Sequence, residues 1–393
     1  MGTLDGLNVL DLSSLLAGPI CATILGDHGA NVIKVEHPNG DDARNWGGKK
    51  NGVSLWWKVI SRNKDLISID LHSKEGQKIV KKLVARTDIL IENFRPGKME
   101  SWGLGYDELS KINPKLVMIR VTGFGQSGPY SNLPGFGTIA EAMSGFASVT
   151  GFSDKPPTLP SFGLADGIAG IAGAFAAMSA VFKRERTGVG EIIDLSLYDP
   201  LMWIVGPHII EFDQLNKVQK RQGNGSSRTC PRNTYKTSDG KWIALSASAE
   251  SIAKRVFELI GHSEIFELYP TNWERVQHGE EIDNLVQEWV SKYTQEEAID
   301  ILRNAEIAAA PIYDAEQIYN DSHFRFRESI VTIGDDDLGK VTMQGVFPKM
   351  FNNPGRIRFT GKDRVGYDTD VILGELGLRP DQISKLRSDG VVK

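Results

Sequence analysis

Asp166 has the most suggestive surroundings of any acidic residue in this chain. It stands directly before Gly167-Ile168-Ala169-Gly170-Ile171-Ala172-Gly173-Ala174, so glycines recur at 167, 170 and 173. That spacing puts them near one face of a helix. A glycine in a helix interior costs about 1 kcal/mol relative to alanine. Three such costs predict that another backbone or a ligand packs very close to that face. Asp is also among the strongest helix N-caps, and a cap alone would explain its position. The two roles are compatible. A carboxylate at a helix start is expected to keep a low pKa, stay ionised and be able to act as a nucleophile.

Three other segments carry groups of chemical interest. Glu92-Asn93-Phe94-Arg95-Pro96-Gly97 follows the apolar run Asp88 to Ile91. Asn93 offers an amide, Phe94 a stacking face and Arg95 a phosphate fork, a set that suits a nucleotide-like ligand. The same residues also make an ordinary exit from a strand into a turn. Gly123-Phe124-Gly125-Gln126-Ser127-Gly128 matches G-x-G-x-x-G. A dinucleotide fingerprint must open a helix, and Pro129 and Pro134 prevent that, so a flexible loop over a cleft is expected instead. Glu36-His37-Pro38-Asn39-Gly40-Asp41-Asp42-Ala43-Arg44 could bring His37 and Arg44 to an adenine or a phosphate, or could be a solvated loop. No histidine occurs between His72 and His208, so a histidine base beside Asp166 would have to come from a distant segment or another chain.

These groups need a scaffold, and the apolar runs describe one. Leu7 to Leu12 and Asn31 to Val35 read as strands around a helical stretch from Pro19 to Leu25, a β-α-β opening. Further strands are expected at Leu66 to Leu71, Asp88 to Glu92 and Lys115 to Val121. A helix capped by Ser73 follows the first of these. Alternation to about residue 200 predicts a doubly wound α/β domain, whose ligands bind at the carboxyl ends of its strands. The expected division is a large domain over 1–216, a linker over 217–232 and a small α+β domain over 233–308 with a hairpin about Ser238-Asp239-Gly240. Residues 309–393 then return to the large domain, ending in a helix near Asp370 to Leu376.

Composition removes several function classes. The chain has 393 residues, a formal net charge of −5 and no basic run, which leaves no field to hold nucleic acid. Cys21 and Cys230 are the only cysteines and lie far apart, so neither a disulfide framework nor a metal site is expected, and the usage fits a reducing cytoplasm. The N-terminus lacks the pattern of a signal peptide. The apolar run from Ile168 to Phe182 reads as too short and small-sided to span a bilayer, so no membrane partner is expected.

Taken in order, the motifs resemble the class III coenzyme A transferases, the group that includes formyl-CoA transferase. The resemblance runs from Leu4 to about Val392. It rests on Leu4-Asp5-Gly6-Leu7-Asn8-Val9-Leu10-Asp11-Leu12, Ala17-Gly18-Pro19, Gly29 to Glu36, Asn63-Lys64, the Glu92 to Gly97 and Gly123 to Tyr130 segments, Ser144-Gly145 and Thr187-Gly188. It implies an interlaced homodimer. Each subunit would have a Rossmann-like large domain, built from both chain ends, and a small domain between them. It implies coenzyme A as co-substrate, with acyl-CoA and small carboxylic acids as partners. The family's nucleophilic aspartate falls at Asp166. CoA contacts carry over to Asn93, Phe94, Leu16, Ala17, His37 and Ile69, those at Leu16 and His37 by position only. Gly135, Phe136 and Thr138 fall in the substrate pocket.

The resemblance also implies a mechanism, through an aspartyl anhydride and an aspartyl-CoA thioester, with the loop from Gly123 to Gly135 as a cover. Two features depart from the formyl-CoA enzyme. Cys230-Pro231-Arg232-Asn233-Thr234-Tyr235 stands where that enzyme has a glycine run, and Thr138 replaces an acidic residue. A formate/oxalate exchange is therefore not expected; Phe136, Met143 and Phe146 among small residues permit an acyl group larger than formyl, with succinyl-CoA as one candidate donor, and the sequence leaves the acids open. The alternatives are an α-methylacyl-CoA racemase, which needs a histidine near Phe136 that the chain lacks, and a non-catalytic CoA-binding protein.

Overall fold

The computed structural model describes residues 2–393; Met1, the first residue of the expected large domain, lies outside them. Six parallel strands form the main sheet: β1 (Asn8–Asp11), β2 (Asn31–Glu36), β3 (Lys64–Ser68), β4 (Ile89–Glu92), β5 (Val117–Thr122) and β6 (Glu191–Ser196). Their spatial order is β3-β2-β1-β4-β5-β6, the doubly wound order, with its switch point between β1 and β4. Leu10 pairs with Ile33 on one side and Leu90 on the other. β4 and β5 are buried throughout, as apolar strands covered on both faces should be.

The two faces of the sheet read off the strands by parity. Val9, Ile89, Ile91, Val117 and Ile119 face α1 (Ala17–Asp27) and the long helix Leu164–Thr187. Leu10, Ile67, Leu90 and Met118 face the other way, toward α2 (Lys74–Val84) and the two last helices of the chain. Between β5 and β6 come α3 (Gly137–Met143) and then that long helix, α4. The glycine spacing of α4 has the predicted cause at two of its three positions. A Cβ at Gly170 would stand 2.6 Å from Ile20 Cγ2, and one at Gly173 would stand 3.2 Å from Cys21 Sγ, so the close neighbour is α1. At Gly167 a Cβ would meet nothing within 4 Å. By length and composition α4, with 24 residues, is long and apolar enough to cross a membrane, which corrects the expectation that its apolar run is too short. The inner face of α4 packs on α1 and the sheet.

Residues 147–158 and 207–321 make a second compact unit. It holds an antiparallel sheet of β7 (Arg232–Lys236), β8 (Trp242–Ser246) and β9 (Ala309–Pro311), in the order β9-β8-β7. The β7–β8 hairpin turns at Gly240, with φ +79°, about the three residues expected. Helices α5 (Glu250–Ile260), α6 (Gly279–Val290) and α7 (Gln295–Asn304) bury Val256, Phe257, Val286 and Ile299 on it. The boundaries differ from the sequence reading for two reasons. β9 pairs with β8, which keeps residues 309–321 in this unit. The segment 217–232 is tied to 147–158, through Gly223 N–H on the Gly151 carbonyl (2.9 Å) and Arg221 on the carbonyls of Phe152 and Lys155 (3.2 and 3.0 Å). The return to the first unit therefore begins at Ser322. It carries the hairpin β10 (Ile330–Asp335) and β11 (Gly339–Gln344), then α8 (Thr369–Glu375) and α9 (Pro380–Ser388). α9 starts at a proline and lies beyond the last helix expected from the sequence.

Candidate active site

A cleft of about 270 Å³ opens at the carboxyl ends of β1, β4 and β5, next to the switch point. Its first wall is the loop Ser14 to Leu16 between β1 and α1. Leu15 is held there at φ +65°, a conformation a branched side chain adopts only under constraint. The constraint is visible. The Asn93 amide grips Ser14 twice, accepting from Ser14 N–H (2.8 Å) and donating to the Ser14 carbonyl (2.7 Å). Asp41 accepts from Leu15 N–H at 3.3 Å, and Lys34 donates to the Ser13 carbonyl.

Beneath the loop lies a buried ionic cluster. Lys34 pairs with Asp41 at 3.2 Å, and Lys64 pairs with Asp11 at 3.0 Å while also donating to the Pro19 carbonyl at 2.7 Å. Burial opposes the charge on Asp11, but Lys64 and Lys34 beside it hold its carboxyl below the usual range. Nothing in the sequence pattern singled out this cluster, because its four members come from three separate strands and a loop.

The second wall follows β4. Phe94 and Arg95 line the cleft, and Phe94 is set edge-on against Trp102 at 5.0 Å. The third wall is the loop that follows β5. Gly123 and Gly135 pinch its base; a Cβ on Gly123 would fall 2.6 Å from Gly135 Cα. Gln126 N–H fastens the loop to the Asp194 carboxylate at 3.0 and 2.9 Å. Ser131, Leu133, Pro134, Gly135 and Phe136 reach the cleft from it. After the G-x-G-x-x-G segment no helix starts before Gly137.

Asp166 closes the cleft at the first turn of α4. It is not the cap residue: the cap position is Gly163, and the Ala165 N–H is satisfied instead by Glu141 Oε1 at 3.2 Å. Its carboxyl is not held low either. Burial first, and then the Glu141 charge, push it up from 3.8 to about 6. The expected low value rested on the helix terminus, whose field is outweighed here by desolvation and a like charge. Glu141 was not foreseen. A signal existed, since it is the only charged residue between Arg120 and Asp154.

Eight predicted site residues therefore line one cleft: Leu16, Ala17, Asn93, Phe94, Arg95, Gly135, Phe136 and Asp166. Three do not. His37 is exposed beyond β2, Ile69 is buried in the core just past β3, and Thr138 is exposed at the start of α3. Arg44 has no free fork for a ligand, because it is engaged with Glu36 at 2.7 and 2.9 Å and stacked 4.0 Å from the Trp57 ring. No histidine is among the residues that line the cleft.

The family model for CoA-transferase family III matches residues 4–369. The chain belongs to CoA-transferase family III. This family III transferase is 39% identical to the succinyl-CoA–D-citramalate CoA-transferase of Chloroflexus aurantiacus, over 99% of this chain and 98% of that one. It is 38% identical to the beta subunit of the succinyl-CoA–L-malate CoA-transferase of the same organism, over 99% and 98% of the two chains. Among solved structures, a CAIB/BAIF family protein from Brucella suis superposes with a TM-score of 0.84 at 29% identity, covering 95% of this chain and 99% of that one. The chain is therefore an enzyme that transfers coenzyme A, with acyl-CoA and carboxylic acid substrates.

Proposed function

We propose that this transferase takes coenzyme A from succinyl-CoA and delivers it to a second carboxylic acid, with Asp166 as the covalent nucleophile. The observation that carries the nucleophile assignment is that Asp166 is the one carboxylate lining the cleft. The donor assignment is supported by the relatives, which are named for succinyl-CoA with D-citramalate and with L-malate.

An Asp166 oxygen attacks the thioester carbonyl, the C–S bond breaks, and coenzyme A leaves as thiolate with the electron pair. The thiolate then attacks the aspartyl carbonyl of the anhydride. This expels succinate and leaves an aspartyl-CoA thioester. The acceptor carboxylate repeats the sequence in reverse. Covalent storage keeps the thioester energy and divides one difficult exchange into easier ones. The loop from Gly123 to Gly135 limits water at the anhydride. Asn93 acts through Ser14, holding the wall along which the thioester lies.

The assembly we propose is the interlaced homodimer, in the cytoplasm, with no metal. On the outer side of α4, Ile171, Phe175 and Phe182 are exposed, Phe175 by 75%; Trp203 is exposed by 82%. A group of large exposed apolar side chains of this kind supports a partner surface on that side. The assignment is tested with a panel of acyl-CoA donors against mono- and dicarboxylic acceptors, run alongside Asp166→Ala and sedimentation analysis. Exchange from succinyl-CoA, lost in Asp166→Ala with CoA binding retained, is the expected result. Transfer that survives in Asp166→Ala would remove the covalent role.

A further inference from the structure

One group beside the nucleophile has no part in those steps. Glu141 is 2% exposed, and burying a carboxylate costs free energy that a neutral side chain would not incur. The buried face of α3 is Gly137, Ala140 and Glu141, at i, i+3 and i+4. This face meets the first turn of α4 at two points. Asp166 Oδ2 lies where a Cβ of Gly137 would stand, and one turn on, Glu141 Oε1 takes the Ala165 N–H. The first N–H groups of a helix need an acceptor, but a serine, an asparagine or a glutamine would supply one without a charge. The charge is what requires an explanation.

We infer that Glu141 is a positioning residue for the transfer: it fixes the turn that carries Asp166 and holds a like charge against it, and acylation of Asp166 relieves that repulsion. The inference rests on the covalent role proposed for Asp166. In the free enzyme two carboxylates share a partly dry site. In the anhydride and in the aspartyl thioester the Asp166 oxygens carry no net charge, since that charge has left with the thiolate or with succinate. Interactions that penalise only the ionised form of Asp166 therefore favour the covalent states. The upward displacement of the Asp166 carboxyl, for which Glu141 is a cause second to burial, agrees with this geometry.

The other charges around Asp166 do not offset Glu141: the helix Tyr198–Val205, packed on both α3 and α4, carries Tyr198 and Asp199, and the Asp199 carboxylate accepts from Ser196 Oγ at 2.6 Å. The remaining ionisable residue lining the cleft is Arg95, whose side chain is exposed. α1, packed against α4, has one charged residue, Asp27, and it is held by Arg62 at 2.6 Å and Asn63 at 2.7 Å.

The test is Glu141→Gln, which keeps an Oε1 acceptor for Ala165 N–H and removes the charge, with Glu141→Asp as the variant that keeps it. The Asp166 titration is followed by carbon-13 NMR of aspartate labelled at the side-chain carboxyl, its signal identified by its loss in Asp166→Asn. In Glu141→Gln the titration and the acid limb of kcat/KM should both move to lower pH. The fraction of enzyme trapped as an adduct at saturating succinyl-CoA should fall severalfold. Glu141→Asp should stay close to the parent in both pH profiles. A Glu141→Gln titration that coincides with the parent's, or a loss of rate equal at every pH, would leave Glu141 a helix cap and overturn the inference. Failure of the covalent reading shows separately, as transfer retained by Asp166→Asn, while the NMR titration still reports on Glu141.

Discussion

Gly137 can be used to ask how closely the reaction depends on the placement of one oxygen. In Gly137→Ala the new methyl carbon would overlap Asp166 Oδ2 and stand 3.1 Å from Asp166 Cγ. Carbon and oxygen rarely approach within about 3 Å, so the oxygen must retreat by about 1 Å, either by rotation of the carboxylate or by a shift of α3. A displacement of that size at a reacting group lowers rate by about 100-fold, or about 2.7 kcal/mol of barrier. Stability moves much less. The alanine gains up to about 1 kcal/mol of helix propensity, and crowding at a buried contact takes back about 1–3 kcal/mol. The assay pairs chromatographic measurement of acyl-CoA exchange with thermal unfolding of the same preparations. The expected result is a loss of about two orders of magnitude in kcat/KM with a melting temperature within several degrees of the parent. Activity within twofold of the parent would show that the Asp166 oxygen facing Gly137 does not have to sit where the structure puts it.

Two other predictions concern stability. Folding raises the Asp166 carboxyl from 3.8 to about 6, so the destabilisation is absent below the lower value and complete above the upper one, at most about 3 kcal/mol at roughly 1.4 kcal/mol per pH unit. Asp166→Asn should therefore be more stable than the parent near pH 7.5 by up to that amount, with the gain shrinking as pH is lowered toward 4; urea unfolding at several pH values measures it, and a gain independent of pH would contradict the burial argument. Lys64→Ala leaves Asp11 buried without its partner and should lose about 3–5 kcal/mol in urea unfolding; a loss below about 1 kcal/mol would mean that the cluster under the Ser14 to Leu16 loop is not a structural support.

The sequence carried those parts of the site that depend on chain order and local pattern. Apolar runs located β1 to β5, and the ends of β1, β4 and β5 then lie side by side around the switch point of a parallel sheet; β6 alternates half-buried and exposed residues and was not read as a strand. The glycine spacing of α4 announced a close neighbour, and that neighbour is α1. Asp166 was legible because it directly precedes that glycine run. Its ionisation was not, because its pKa depends on burial and on Glu141, 25 residues away in sequence. Arg44 looked available to a ligand until Glu36 and Trp57 were seen to hold it. Ile69 and His37 follow β3 and β2 as Asn93 follows β4, but the cleft opens over the ends of β1, β4 and β5, on the other side of β1. The short edge strand β9 lies in three residues of Ala and Pro, a run too weak to read as a strand, and so the small unit ended early in the sequence reading.

The proposed mechanism requires a bond between the enzyme and its substrate at one carboxylate. The direct measurement is to mix the protein with succinyl-CoA, quench with hydroxylamine or borohydride, and examine the peptide that contains Asp166 by mass spectrometry. A modified Asp166, formed as fast as the enzyme turns over and missing in Asp166→Asn, is the predicted result. Full turnover with that peptide unmodified at every time point would exclude a covalent route through Asp166.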